Sequence, residues 1–170
     1  VINGDIHTAN QKAANLDSRD KAKTFIYAFL YGAGSHKLGQ ITPSRENKDE
    51  DIYARGRRLQ RDFLTNLPSL KTLRDKVISA AESGYLTGLD GRILHIRSTH
   101  AALNTLLQSA GAVVMKRAVI LLTESCKKWK INYRLLGQIH DEIQVEVQEN
   151  QAESFGDLAV HCIKQAGEDF

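Results

Sequence analysis

Residues 19–32 read RDKAKTFIYAFLYG and have the clearest helical pattern in this chain of 170 residues. Asp17 or Ser18 can cap the start of a helix here, and the small residues from Gly32 to Gly34 can end it. Apolar side chains recur on one face, at Ala22, Phe25, Ile26, Phe29 and Leu30. We therefore expect a helix over residues 18–31 that buries this face in a core.

The opposite face of this predicted helix aligns two cations and two rings. Arg19, Lys23 and Tyr27 are spaced by four, and Tyr31 continues the stripe one turn later. A cation in the first turn opposes the helix dipole, so a further interaction should justify Arg19 at this position. A bound polyphosphate would supply it, since Arg and Lys donate to phosphate oxygens and a ring can pack against a sugar or base. An ordinary amphipathic helix with a basic solvent face explains the same spacing, and the pattern alone favours that explanation.

Four further stretches have helical periodicity or helix boundary signals: residues 43–62, 67–83, 99–129 and 151–167. The first of them carries a basic cluster that fits either a solvated face or phosphate contacts, at Arg55, Arg57, Arg58 and Arg61. The long stretch 99–129 has an apolar face at Leu103, Leu106, Leu107, Ala110, Val113 and Val114. These patterns predict a largely helical chain.

Two hairpins are predicted between the helices. An Asp90-Gly91 turn lies between apolar residues of the stretch 86–97. The strand-like runs 133–139 and 143–147 are joined by His140, Asp141 and Glu142. Adjacent residues of a strand point to opposite sides, so at most one of the two carboxylates points directly at a given site. Asp141 suits a Mg²⁺ ligand, because this ion takes one or two carboxylates plus substrate phosphates, but a solvated turn is the simpler explanation.

A polar stripe marks the helix predicted over residues 99–129. His100, Asn104 and Gln108 are spaced by four on the side away from its apolar face. Amide side chains can donate to and accept from base edges or sugars, and minor-groove acceptors are similar in all base pairs. The stripe therefore suits sequence-independent contact with a nucleic-acid duplex. A wet helix face or an interhelical hydrogen bond explains it at least equally well.

Composition excludes several classes of protein. With 42% hydrophobic and 25% charged residues, the chain is neither disordered nor of low complexity. No apolar run approaches the roughly 18 to 20 residues that cross a bilayer, and residues 1–10 lack a signal-peptide layout. We therefore expect an intracellular protein with no membrane partner. Cys126 and Cys162 have no metal-ligand spacing, so reduced thiols are expected.

The net charge of +3 hides an asymmetry along the chain. Residues 1–134 hold 22 Lys or Arg against 12 Asp or Glu, whereas residues 135–170 hold 1 against 8. A basic body attracts a polyanion such as nucleic acid, and an acidic end can hold a divalent cation. Solvated surfaces explain such segregation more simply, so the charge alone does not identify a partner.

The combination of these motifs resembles a known family. Residues 19–32 resemble motif B of family A DNA polymerases, which is Arg, three residues, Lys, seven residues and Tyr-Gly. The turn at residues 140–142 resembles motif C, and residues 4–8 resemble the segment upstream of motif B. Residues 88–111 resemble the intervening hairpin and long palm helix. The residues of these motifs are most similar to those of the replicative polymerases of short-tailed phages.

The resemblance implies an α+β fold with the fingers helices of a right-hand polymerase and an incomplete antiparallel palm. The fingers portion would cover residues 1–84, with the motif B helix at about 18–31. The partial palm would cover residues 85–170, with a duplex-contacting helix at about 99–129 and the motif C hairpin at about 133–147. Such a protein would work at the replication site, in the cytoplasm of a bacterial host if a phage encodes it.

Carried over to matching positions, the resemblance implies nucleotide contacts from the first part of the chain. His7, Arg19 and Lys23 would hold the incoming triphosphate, with Tyr27 beside the sugar and Tyr31 beside the nascent pair. Lys23 would also be the general acid that protonates the departing pyrophosphate.

The remaining implied roles concern catalysis and DNA. Asp141 would ligate the catalytic metals and Glu142 would support that site. Contacts with the primer-template would come from Gly32, His100, Asn104, Gln108 and His140.

The resemblance therefore implies part of a template-directed DNA polymerase that binds dNTP and primer-template DNA and transfers a nucleotidyl group with two Mg²⁺ ions. The family's second metal-binding Asp belongs to motif A, and no Asp followed by Glu-Leu-Arg occurs here. We expect the isolated chain to be inactive without the remainder of the polymerase polypeptide or a complementary subunit. The alternative is a non-catalytic nucleic-acid-binding module with the same fold. A metal-dependent nuclease is disfavoured, because the sequence has no clustered second carboxylate or His ligand set.

Overall fold

The computed structural model describes residues 5–41 and 51–170. Its helices and short antiparallel strands confirm the expected α+β class. The helices are α1 (Ile6–Ala13), α2 (Arg19–Leu30), α3 (Ser35–Gln40), α4 (Ile52–Asn66), α5 (Pro68–Ala81), α6 (Ala102–Trp129) and α7 (Ala152–Glu168). The strands are β1 (Tyr85–Thr87), β2 (Ile93–His95), β3 (Tyr133–Ile139) and β4 (Glu142–Val147). Single 3-10 turns precede α6 at Thr99–Ala101 and α7 at Glu149–Gln151.

The chain divides into two compact units. The first unit comprises the described residues up to Leu86 together with His95–Thr105. The second unit comprises Thr87–Leu94 and Leu106–Phe170. Each unit buries its own cluster of apolar side chains, so each has a core of its own.

The core of the first unit is centred on three phenylalanine rings. Phe25 and Phe29 of α2 each meet Phe63 of α4 edge to face, with ring centroids 5.3 Å apart. Such aromatic pairs contribute about 0.5–1.5 kcal/mol each beyond the burial of their surface. The buried face expected for α2 is confirmed, because Ala22, Ile26 and both rings are buried and Leu30 packs against them.

Helices α3 and α4 pack closely because each has a glycine at their contact. A Cβ atom on Gly39 would collide with the carbonyl oxygen of Ile52, and one on Gly56 would collide with that of Ser35. The backbones therefore approach more closely than any residue with a side chain would allow. Gly56 lies in the interior of α4, where a glycine without such a contact is unfavourable.

The second unit is built on the antiparallel hairpin of β3 and β4. Tyr133 pairs with Val147 and Ile139 with Glu142, and the register shifts between Leu135 and Gly137. The side chains that face inward pack on α6 and α7: Tyr133, Ile143, Val145 and Val147. The strands therefore hold the intervening turn at one end of a packed sheet.

Both cysteines lie in the core of the second unit. Cys126 of α6 and Cys162 of α7 are buried free thiols, which agrees with the expectation of reduced cysteines. Burial raises the pKa of the Cys126 thiol, and the neighbouring Cys162 adds to the effect. The Sγ of Cys162 lies 3.7 Å from the Oγ of Ser125.

Several element boundaries differ from the sequence-based expectations. Helices α1 and α3 were not expected from the sequence. Helix α1 buries only Asn10 and Ala13, and α3 has only six residues, so neither has a clear apolar periodicity. The helix expected over 43–62 begins at Ile52 and ends at Asn66, and its expected start lies outside the described residues. Leu107 is exposed, not on the buried face of α6.

The helical stretch Thr99–Trp129 is long and apolar enough to cross a membrane by length and composition alone. This differs from the expectation that no apolar run is long enough, because polar residues interrupt the run here while its mean hydropathy stays that of a span. One such helix is weak support for a membrane location, since the core helix of a folded domain passes the same test.

Candidate functional site

Helix α2 presents the predicted polar stripe on its exposed side. Ser18 caps the helix, its Oγ accepting from the backbone N–H of Lys21, so Arg19 is the first helical residue. Arg19, Lys23 and Tyr27 are exposed, and Tyr31 lies at the C-cap with 57% of its surface exposed. The burial of the opposite face against the Phe63 ring fixes the direction in which these side chains point.

His7 of α1 lies beside this stripe. Its ring centroid is 6.1 Å from that of Tyr27, and the two rings are tilted by 52°. The Nδ1 atom of His7 is buried and has no hydrogen-bond partner among the described residues. The packing of α1 against α2 thus brings together two predicted nucleotide contacts that are 20 positions apart in sequence.

Arg19 is held by a carboxylate that the sequence did not single out. Its Nε lies 2.6 Å from Oδ2 of Asp5, and its Nη2 lies 3.2 Å from Oδ1. The hydrogen bond from Arg19 is the main reason that the pKa of Asp5 lies well below its usual range. Asp5 therefore supplies the anion that a cation in the first turn of α2 requires, so bound polyphosphate is not needed to explain Arg19.

The same carboxylate caps α1. Oδ1 of Asp5 accepts from the backbone N–H of His7 at 3.2 Å, and Oδ2 accepts from the Thr8 hydroxyl at 2.8 Å. One side chain thus fixes the first turn of α1 and the guanidinium of Arg19. An Asp before a helix is the usual signal for such a cap, but sequence periodicity did not reveal α1 itself.

Gly32 ends α2 in a conformation that only glycine adopts readily. Its φ is +77°, and a Cβ atom there would lie 2.5 Å from the carbonyl oxygen of His100. Gly32 and His100, two predicted DNA contacts, are therefore neighbours. Both line a cavity of about 380 Å³ in the first unit, together with Gln60, Arg74 and Thr99.

Three residues were expected to form one polar stripe on the long helix. His100 belongs to the 3-10 turn, whereas Asn104 and Gln108 lie on α6. Asn104 is partly buried in the first unit, and Gln108 is exposed in the second. The spacing of the two amides is helical as expected, and the role proposed for them stays a prediction.

The turn between β3 and β4 presents the predicted catalytic carboxylates. His140 has a φ of +55°, and Asp141 and Glu142 are exposed. The Oε1 of Glu142 accepts from the Gln144 side-chain amide at 2.8 Å. Asp141 fits one hard-oxygen ligand of Mg²⁺, but the described residues contain no cluster of three His, Cys, Asp or Glu side chains that could hold a metal alone.

The basic cluster of α4 does not act as one surface. Arg55 is buried, and its Nη1 lies 3.5 Å from the carbonyl oxygen of Gly39, whereas Arg57, Arg58 and Arg61 are exposed. The Nε of Arg61 lies 3.2 Å from Oδ1 of Asp62. At least one of the four cations therefore stabilises the packing of α3 on α4 and is not available for phosphate.

Comparison with known proteins identifies the family. The family described as DNA polymerase family A matches residues 2–169. The DNA-directed DNA polymerases of Enterobacteria phage T3 and Escherichia phage T7 are 42% and 44% identical to the chain, over 99% and 85% of its length. The chain spans about a quarter of the length of these relatives, 26% and 23% respectively.

A solved structure supports the same fold. The POL domain of Pol1 from M. smegmatis, in complex with DNA primer-template and dNTP, superposes with a TM-score of 0.80 at 21% identity. The match covers 97% of this chain and 32% of that one. The identity to the two phage proteins is about twice as high, as the resemblance to phage polymerases predicts. The chain belongs to the family A DNA polymerases.

Proposed function

We propose that this chain is the part of a template-directed DNA polymerase that binds the incoming dNTP and the primer-template. Residues 1–84 would be the fingers portion and residues 85–170 the partial palm. The observation that carries the proposal is the exposed stripe of Arg19, Lys23 and Tyr27 with the His7 ring beside it. The membership of the chain in this family supports it, as does the M. smegmatis neighbour, which was solved with primer-template and dNTP.

The stripe provides the contacts that a nucleoside triphosphate needs. Arg19 and Lys23 offer charged donors to phosphate oxygens, and the ring of Tyr27 lies one turn beyond Lys23, where a sugar or base can pack. Among the described residues Lys23 has no ion-pair partner, so its ammonium group is free to bind phosphate. That group can also transfer a proton to the pyrophosphate oxygen that departs when the nucleotide is joined to the primer.

The turn at residues 140–142 is the proposed catalytic end of the palm. Asp141 would ligate Mg²⁺, Glu142 would support the site, and His140 would contact the primer-template together with Gly32, His100, Asn104 and Gln108. Asp141 would help to hold two Mg²⁺ ions, and these would supply activation of the primer hydroxyl and charge stabilisation for the leaving oxygens. Because a pair of ions needs more than one carboxylate, we expect the second protein ligand to come from the remainder of the polymerase or a complementary subunit.

The nucleotide site can be tested on the 170-residue chain by calorimetric titration with dNTP in the presence of Mg²⁺. We expect Lys23→Ala to weaken binding by about tenfold, since it removes a charged hydrogen bond to phosphate. Lys21→Ala is the matched control, because Lys21 lies on the same helix and pairs with Asp17 at 2.8 Å. Equal losses in the two variants would contradict the assignment of Lys23.

Catalysis can be tested by incorporation of labelled dNTP into a primer-template. We expect the chain alone not to extend the primer, because Asp141 cannot hold both ions by itself. A complementary polypeptide that carries motif A should restore extension. Extension by the chain alone that Asp141→Ala abolishes would show that this expectation is wrong.

The alternative, a non-catalytic nucleic-acid-binding module, predicts different titrations. Such a module would bind duplex DNA with the salt dependence of any set of phosphate contacts, but it would not respond to dNTP or Mg²⁺. Binding of dNTP that depends on Lys23 therefore separates the polymerase proposal from this alternative.

A further inference from the structure

We infer that Asp5 is a positioning residue of the nucleotide site, whose carboxylate holds the Arg19 guanidinium and the His7 turn of α1 in place for a triphosphate. The inference rests on the proposed function, because it concerns how that same site is organised. It assigns a role to a residue that neither contacts the nucleotide in the proposal nor belongs to the motif B pattern.

The geometry leaves Arg19 able to bind a ligand while it is paired. A guanidinium has five N–H donors, and Asp5 accepts from Nε and from one N–H of Nη2. The two N–H donors of Nη1 and the second N–H donor of Nη2 are not used by Asp5 and can donate to a ligand. The Arg19 side chain is 52% exposed, so these donors are accessible. Asp5 thus occupies one edge of the guanidinium, and a phosphate can occupy the other.

The pair also fixes the rotamer of a long side chain before the ligand arrives. An Arg that is free in solvent loses rotamer freedom when it binds phosphate, and this loss weakens binding. Here the carboxylate that orients Arg19 is itself oriented by the N–H of His7 and the Thr8 hydroxyl. The first turn of α1 and the first turn of α2 are therefore linked through one side chain.

Competition is the opposite possibility, in which Asp5 and the triphosphate exchange places on Arg19. Competition requires the same donors, whereas the geometry leaves a second edge of the guanidinium open. The two mechanisms predict opposite signs when the carboxylate is neutralised. Positioning predicts weaker triphosphate binding, and competition predicts tighter binding.

Asp5→Asn separates the role toward Arg19 from the capping role. Asn caps helices about as well as Asp, so α1 keeps its first turn, but an amide cannot accept both N–H groups of Arg19. We expect the dissociation constant of dNTP on the 170-residue chain to rise about two- to tenfold, the effect of releasing one ordered side chain. In an Arg19→Ala background, Asp5→Asn should add no further loss.

Asp90→Asn is the control, since Arg92 donates to Asp90 from the same two nitrogens, Nε and Nη2, in the turn between β1 and β2. It should leave dNTP binding unchanged. The NMR signal of the Arg19 Nε–H should be protected from exchange in the unchanged chain and lose protection in Asp5→Asn.

The outcomes distinguish this inference from the proposed function. If the unchanged chain does not bind dNTP, the proposed function is wrong and the inference is wrong with it. If the unchanged chain binds and Asp5→Asn binds equally well or more tightly, only the inference is overturned. The inference would also be overturned if Asp5→Asn weakened dNTP binding as much in the Arg19→Ala background as it does when Arg19 is present. Asp5 would then act independently of Arg19.

Discussion

The ionisation of Asp5 gives a direct measure of its contact with Arg19. The pKa of this carboxyl is held well below its usual range, mainly by the hydrogen bond from the guanidinium and then by that from Thr8. A carboxyl whose pKa is lowered by folding stabilises the fold above its unfolded pKa. This contribution is lost as the pH falls through the folded pKa, so the contact should persist into strongly acidic solution.

We expect Arg19→Ala to raise the pKa of Asp5 toward its usual range, as followed by NMR titration of the side-chain carboxyl carbon. Asp90 is the internal control, because Arg92 lowers its pKa and is not altered by the substitution. An unchanged Asp5 pKa would show that the ion pair does not form in solution.

For single residues, the sequence predicts which side chains share a helix face better than it predicts which residues they contact. The order Arg19, Lys23 and Tyr27 on one face follows from helix periodicity, and the structure has them exposed as expected. The contact between Asp5 and Arg19 spans 14 positions and depends on how α1 packs against α2. Because no local pattern encodes that packing, Asp5 could not be recognised from the sequence.

At the scale of elements, the closeness of α3 and α4 can be tested with paired glycine substitutions. We expect Gly56→Ala to destabilise the first unit by about 1–3 kcal/mol or more, because the new methyl group collides with the Ser35 backbone. Gly111→Ala in α6 is the matched control, since nothing lies within 4 Å of its Cβ position. It should stabilise its helix by roughly 0.5–1 kcal/mol.

Urea unfolding followed by circular dichroism measures the change in the free energy of unfolding that each substitution causes. If Gly56→Ala is as stable as Gly111→Ala, the two helices are not in the close contact described above. The comparison is informative because both glycines lie inside helices and differ in what surrounds them.

The elements found from the sequence are those with long or regular patterns. Helix α2, helix α6 and the hairpin of β3 and β4 lie close to their expected positions, because each has many residues that agree on one period. Helices α1 and α3 have eight and six residues and bury few side chains, so their local signal is weak. Tertiary packing, not propensity, determines such short helices.

At the scale of the whole molecule, the uneven charge predicts how the chain responds to salt. Residues 1–134 carry an excess of ten positive charges, whereas residues 135–170 carry an excess of seven negative charges. We expect duplex DNA binding, measured by fluorescence anisotropy, to weaken steeply between low and physiological salt. The slope of log K against log salt should be about −0.9 for each phosphate contacted. A slope near zero would contradict binding through the basic body.

The division into two units could not be predicted from local patterns. Residues 95–105 pack with the first unit although the hairpin turn that precedes them belongs to the second. Only contacts between distant segments determine this assignment. The boundary proposed between fingers and palm at residue 84 follows from the family resemblance and stays a prediction.

The placement of the two cysteines makes the second unit separately observable. Both thiols of the chain are buried there, so a thiol reagent can reach them only when that unit opens. The rate of labelling therefore reports the opening of the second unit and does not depend on the opening of the first. Addition of dNTP or DNA during labelling would show which ligand protects the unit that holds Asp141, without any engineered probe.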